Sequence, residues 1–242
     1  PSGKIFLRMF AHKEENLLSD AVDQWFSSFD PVWGGFGAAP KFPMGHTLLF
    51  LLSYQEKIGS KEALTMAETT LEHLFRGGLF DHLGGGFSRY STDQRFAIPH
   101  FEKMLYDNAL LILAYCKAYS VTKRELYCDI AIRTASYVLK EMTLPSGAFA
   151  SAQDADSKDG EGSYYAFRPE ETISQLGKDL GSKFNTRYDI TSSGNFHGKS
   201  IPNLLHGPIP EEEFALCRST LYGYRLSRNQ LRRDDKVLTG WN

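Results

Sequence analysis

The chain has little cysteine and pairs none of it locally. Cys116, Cys128 and Cys217 are its three cysteines in 242 residues, with no C-x-x-C pair. An odd, scattered set in a chain this long makes no disulfide framework. Cys116 and Cys128 fall on apolar helix faces, so buried free thiols in a reducing compartment are expected, and with them a cytoplasmic location. Charge of one sign is also missing. Lys and Arg number 27 against 29 Asp and Glu, a net charge of -2, which gives no reason to expect nucleic acid or a membrane surface as partner. No apolar run approaches the roughly 18 residues of a spanning helix. Pro1 to Ala11 lack the charged head, apolar centre and small-residue cleavage site of a secretory signal. No G-x-x-x-x-G-K-[ST] run is present to cradle a nucleotide. The acidic run from Gln153 to Tyr165 misses the calcium-loop pattern, with Lys158 at the fifth position and no glutamate at the twelfth. No cofactor and no metal are expected. No low-complexity linker divides the chain.

What is present is apolar and helical. Hydrophobic residues make up 42% and aromatic residues 13%, enough for a sizeable core. Residues 14–29, 61–76 and 124–142 are amphipathic; Leu64, Ala67, Leu71, Leu74 and Phe75 share one face. Thr122 and Glu125 suggest a capping box opening the third of these. By contrast, Thr47 to Leu52 and Ala109 to Tyr115 are apolar on all sides, which predicts that helices over 46–58 and 100–119 are sheathed by protein. Links leaving these helices are short (Gly59-Ser60, and Ser120 to Thr122). Links leading into them, Pro31 to Gly45 and Gly77 to Pro99, are long and rich in Gly and Pro. Loops of that length inside a compact domain usually carry function. Gly34-Gly35-Phe36, Gly85-Gly86-Phe87 and Ser146-Gly147-Ala148-Phe149 recur about every 50–60 residues. Helical hairpins with one wet and one dry helix, stacked side by side, make a double ring with the long loops on one rim. The expected fold is therefore an all-α toroid of helical hairpins with small β insertions. Beyond residue 143 a β-hairpin is expected around Lys158-Asp159-Gly160, a short helix from Pro169, extended loop over 189–209 and a helix over about 210–226.

Three groups could carry chemistry. With a helix starting at 100, His100, Lys103 and Asp107 lie within about 60° of one another. Lys103 then sits in the first turn, where the helix dipole disfavours a cation, and Asp107 can offset it. A polar head on an otherwise apolar helix opens into a cavity or a buried polar network; a structural ion pair sealing the helix start is the alternative. In the loop Asp81 to Tyr90, Asp81 and His82 can exchange protons and Arg89 can clamp an anion with two bonds; alternatively the loop is a tight turn whose Asp81 caps a neighbouring helix. Asp154 and Asp156 could act as acid and base on a sugar, with Tyr164, Tyr165 and Phe167 as stacking faces or as hairpin core. The stretch Arg218 to Arg233, with Tyr222 and Tyr224, reads as a solvated helix face rather than a nucleic-acid surface.

Gly34 to Pro43, Gly77 to Asn108, Ser151 to Ser157 with Glu161 to Tyr165, and Asp234-Asp235-Lys236 with Trp241-Asn242 resemble the thioredoxin-domain-containing, spermatogenesis-associated protein family. The resemblance covers roughly residues 20–242. It implies two-part proteins: a thioredoxin-like domain followed by an (α/α) toroid similar to six-hairpin glycosidases and N-acylglucosamine 2-epimerases. Only the toroid part is recognisable, over 1–242. It stops where the family continues into another inner helix, so roughly the first half of a ring is expected. No thioredoxin motif is present, and no redox role transfers. Gln230-Leu231 stand where the family has Arg-Pro. The implied function is carbohydrate-active or sugar-binding, glycosidase- or epimerase-like, with no defined reaction. Asp81, His82, His100 and Asp107 are then candidates for proton transfer. Arg89, Lys103, Asn108, Asp154, Asp156 and Tyr164 are candidates for holding a sugar-like ligand. The alternative is a non-catalytic scaffold docking a thioredoxin-like domain or another protein. Catalysis requires Asp81, Asp107 and Asp154 or Asp156 around one open cavity; a scaffold would pair them and leave no room for a ring.

Overall fold

Apolar stripes set the helices. The computed structural model describes residues 17–209, 214–228 and 230–242. Helix α1 covers 17–28; residues 14–16 of its expected span, and Pro1 to Ala11, lie outside the described residues. Then come α2 (Gly45–Ile58), α3 (Lys61–Arg76), α4 (Leu105–Thr122) and α5 (Glu125–Tyr137), the last continuing into a π-helical turn over Val138–Met142. In α3, Ala63, Met66, Ala67, Thr70, Leu71, Leu74 and Phe75 form the buried stripe, and Ser60 caps its start by accepting from Ala63 N at 3.2 Å. No such cap opens α5. Thr122 remains in α4, its hydroxyl donating to Ala118 O at 2.8 Å, so the expected capping box is not formed.

Helices α2 and α3 pack as one hairpin, α4 and α5 as the next, and α2 lies against α4. The last two run parallel. Near their starts a Cβ on Gly45 would come within 2.9 Å of Leu110, and towards their ends Glu56 pairs with Lys117 at 2.5 Å. Glycine at 45 lets the backbones approach this closely. The recurring Gly-Phe motif is a structural repeat. After α1, α3 and the π turn, the chain folds back through isolated bridges Phe29↔Phe36, Phe80↔Phe87 and Thr143↔Phe149. In the first two copies the glycines have positive φ and abut an outer helix: Gly34 meets the backbone of Thr70, and Gly85 the carbonyl of Arg133.

Among the described residues, seven short strands tie the loops together: β1 (Tyr90–Ser91), β2 (Pro99–His100), β3 (Lys103–Met104), β4 (Ala152–Gln153), β5 (Asp156–Ser157), β6 (Gly160–Glu161) and β7 (Arg233–Asp234). All pairs are antiparallel, in the order β1-β2, β3-β4-β7 and β5-β6. The β5-β6 pair is the expected hairpin. The two long loops join each other through the bridge Lys41↔Ser91 and through buried Lys41, whose Nζ donates to Asp30 Oδ2 (2.6 Å), Gly34 O (2.8 Å) and Gln94 O (3.0 Å). Beyond them lie α6 (Pro169–Leu176), α7 (Lys178–Arg187) and α8 (Ala215–Arg228). Residues 210–213 of the expected last helix lie outside the described residues.

Three expectations need correcting. The fourth helix starts at Leu105, not at 100, because β2 and β3 commit the backbone of 99–100 and 103–104 to strand partners. The inner helices are not sheathed on every side: Leu113 is 56% exposed, and Leu49 and Phe50 are only half-buried. The cysteines are not all buried either; Cys116 is exposed and Cys128 half-buried, leaving Cys217 as the core thiol.

Candidate functional site

The structure divides the expected site residues, Asp154 and Asp156 apart, between two clusters. The inner one centres on Asp81, which folds back on its own turn and accepts from Leu83 N and Gly84 N, both at 3.0 Å, through Oδ1. Arg225 of α8 reaches it with two parallel bonds, Nη1 to Oδ1 at 2.9 Å and Nη2 to Oδ2 at 2.8 Å; Lys103 of β3 adds a second cation at Oδ2, 3.0 Å. Lys103 also donates to Gly85 O at 2.7 Å and faces the ring of Tyr137 at 4.3 Å. Burial opposes the charge on Asp81, yet Arg225 and Lys103 together hold it far below the usual carboxylate range. Burial, with Arg225 beside it, brings Lys103 down to about 8 against the pull of Asp81. Asp81 is a fixed anion with every lone pair engaged; the amides that it caps belong to its own turn and not, as the alternative expected, to a neighbouring helix, and Arg225 and Lys103 complete a triad.

His82 is as enclosed. Its Nε2 lies 3.1 Å from Gly77 O, and Phe75, Phe80 and Tyr188 pack around the ring at 5.4–5.6 Å. Burial first, and Arg133 second, push it down to about 3, so it is neutral near pH 7. A cavity of about 10 Å³ between His82, Ser88, Tyr165 and Arg225 has the size of a single water rather than a sugar. Asn108 closes the cluster from α4. Its amide pairs with both backbone groups of Phe87, at 2.7 and 3.0 Å, and with Met104 O at 2.9 Å. It is a latch between the glycine loop and the helix. Tyr164 is core, with its ring under Arg225 at 4.5 Å.

The outer cluster lies around the start of α4. Arg89 Nη1 donates to Glu102 Oε2 at 3.0 Å, and Arg89 N to Glu102 O at 2.8 Å. Tyr106 and half-buried Asp107 follow in the first helical turn, with Trp241 edge-on to Tyr106 at 4.9 Å. Asp107 has no cation within ion-pair distance among the described residues. Burial pushes its carboxyl up to about 7, Tyr106 and Arg89 oppose that, and Glu102 adds to it. His100 stacks on Tyr90 at 5.0 Å and 9°, Phe42 packs on the other side of Tyr90, and His100 Nε2 lies 3.8 Å from Glu161. Three buried polar atoms here, Arg89 Nε, His100 Nδ1 and Asp107 Oδ2, have no hydrogen-bond partner. Such atoms are rare unless water or a ligand meets them.

One open cavity ringed by Asp81, Asp107 and Asp154 or Asp156 does not exist, because the triad seals Asp81 inside. Nor do His100, Lys103 and Asp107 share a helix face: the first two are on strands β2 and β3, Lys103 turned into the core and His100 against Tyr90. The dipole conflict expected for Lys103 disappears with the helical turn it needed. Asp154 and Asp156 stay on the β-hairpin, Asp154 half-buried and accepting from Asp156 N at 3.1 Å, Asp156 exposed. Sequence reading missed Glu102 and Arg225. Arg225 is buried rather than on a solvated face, and the signal was there: it stands at i+4 from Leu221 and i+8 from Cys217, the buried stripe of α8. Among the described residues no three His, Cys, Asp or Glu side chains are placed to hold a metal, and no helix is long and apolar enough to cross a membrane.

No family model matches the chain. Curated proteins do. Spermatogenesis-associated protein 20 of Mus musculus is 38% identical over 212 residues, 79% of this chain and 27% of that protein. The Rattus norvegicus protein of the same name is 33% identical over 93% of this chain and 34% of its own length. An uncharacterised Caenorhabditis elegans protein is 31% identical over 99% of this chain and 37% of its length. The chain thus spans roughly a quarter to a third of the curated relatives it matches. Among solved structures, a sugar epimerase from a ruminal bacterium superposes with a TM-score of 0.51 at 17% identity, over 70% of this chain and 52% of that one. Cellobiose 2-epimerase of Spirochaeta thermophila gives 0.52 at 18%, over 63% and 41%. At such identities the likeness carries the fold alone. The chain is an (α/α) toroid of helical hairpins and, over the part of their length that it matches, belongs with the spermatogenesis-associated protein 20 homologues.

Proposed function

We propose that the cluster at the start of α4 is a sugar-binding site with proton-transfer capacity, in which Asp107 is the acid or base and Arg89 and His100 hold hydroxyl or carboxylate groups. The observation that carries this is Asp107: a half-buried carboxyl with an unpartnered oxygen, raised to about 7. A group that titrates near the working pH can both give and take a proton, which sugar epimerisation and glycoside cleavage each require. Tyr90, stacked on His100 and tilted against Phe42, adds an aromatic edge suited to the apolar face of a sugar ring. The fold likeness to sugar epimerases is analogy and adds only plausibility. The medium is read as cytoplasmic, and a thioredoxin-like domain as the neighbour in longer relatives.

A panel of monosaccharides, uronic acids and cellobiose, scored by thermal stabilisation of wild type and Asp107→Asn, tests the reading. Stabilisation by at least one sugar, lost in the variant while its circular dichroism is unchanged, is expected. No response in either protein would favour the second reading, a scaffold whose polar groups serve the fold. That reading rests on the sealed Asp81 triad.

A further inference from the structure

A cleft is lined by side chains of α3, α5 and α8 and by Tyr188. Its volume is about 440 Å³, within the range of small-molecule sites. Phe75 of α3, Leu126 and Ile130 of α5, and Tyr188 give it apolar walls. Two arginines face into it, Arg133 from α5 and Arg218 from α8. Arg133 donates one bond, Nη2 to His82 O at 2.8 Å, and lies over Phe80 at 4.7 Å. Arg218 donates one, Nη1 to the Tyr188 hydroxyl at 3.2 Å. A guanidinium carries five N–H donors, and neither arginine has a carboxylate within 4.0 Å among the described residues.

Two cations close enough to repel each other are costly in a partly buried wall unless an anion joins them. Burial, and Arg218 next, bring Arg133 down to about 10. Asp129 also lines the cleft, so the wall holds two positive charges against one negative and favours a singly charged anion. Planar guanidinium groups match a carboxylate through paired bonds. We infer that Arg133 and Arg218 form a binding site for a small organic carboxylate, with the charged end between the guanidinium groups and an aromatic or aliphatic body against Phe75, Leu126 and Ile130.

Calorimetric titration at constant ionic strength tests this, using benzoate, acetate and benzyl alcohol on the 242-residue chain. Benzoate should bind, with acetate and benzyl alcohol each at least tenfold weaker. Arg218→Gln should weaken benzoate at least tenfold. Arg218→Lys, which keeps the charge and loses the fork, should fall between and serves if the glutamine variant does not fold. Equal binding of benzyl alcohol, or benzoate binding unchanged in both Arg218 variants, would overturn the site. So would a wild type that binds none of the three compounds.

Discussion

Asp81 and Asp107 stand 26 positions apart, each beside an arginine, and they ionise in opposite directions. Asp81 is the deeper of the two, and burial alone would raise it more. Two cations and the amides of its own turn reverse the sign. Asp107 is less buried, lacks an ion-pair partner and has a second carboxylate nearby, so burial prevails. Depth therefore does not sort structural from reactive carboxyls in this protein; the charges within reach do. Neutralising Asp81 should be the harshest change in either cluster. Asp81→Asn leaves Arg225 and Lys103 buried without a counter-charge, and a loss of about 3–5 kcal/mol is expected from chemical denaturation. A loss below 1 kcal/mol would mean that the triad contributes little.

His82 and Asp107 sharpen the contrast through pH. His82 has a folded value near 3 against an ordinary 6.5. The unfolded chain takes up the proton first, so its contribution is intact above 6.5 and drains away as pH falls towards 3. His82→Gln should flatten that acid limb, by up to a few kcal/mol at pH 4. Asp107 runs the other way. Its folded value, about 7, lies above its ordinary 3.8, so its contribution is present below 3.8 and is lost as pH rises to about 7. Stability of Asp107→Asn relative to wild type should therefore climb between pH 4 and 7, again by up to a few kcal/mol. Parallel pH profiles for wild type and variant would remove Asp107 from the proposed site.

The two regions also differ in how far local pattern exposed them. Helix α3 was readable because its stripe needs only i, i+3 and i+4 neighbours. The Gly-Phe repeat was readable because each copy closes on itself within eight residues, Phe29 to Phe36 and Phe80 to Phe87. The stretch before α4 was not. Lys103 and Met104 pair with Gln153 and Ala152, and these with Arg233 and Asp234, partners that no window around residue 100 contains. Starting the helix at His100, directly after Pro99, is the local answer, and long-range pairing overrules it. Glu102 is hidden for a similar reason, because its pairing with Arg89, through both backbone and side chain, spans 13 positions. Arg225 is masked differently: its charge suggests solvent, whereas its position on the wheel, in line with Cys217 and Leu221, puts it in the core.

Glu102 offers the gentlest perturbation and the finest test. It is the half-exposed partner of a half-exposed Arg89, so Glu102→Gln should change stability by no more than about 1 kcal/mol. Its effect on Asp107 should be disproportionate. The substitution removes the one neighbouring charge that raises Asp107 and releases Arg89, whose charge lowers it. Both changes act in the same direction, so the Asp107 carboxyl should titrate below its wild-type midpoint in a carbon-13 NMR titration, with the unfolding midpoint almost unmoved. An unmoved titration would mean that Asp107 is governed by desolvation alone. The two carboxyls would then be independent groups, and proton transfer at the start of α4 would fall to Asp107 without help from Glu102.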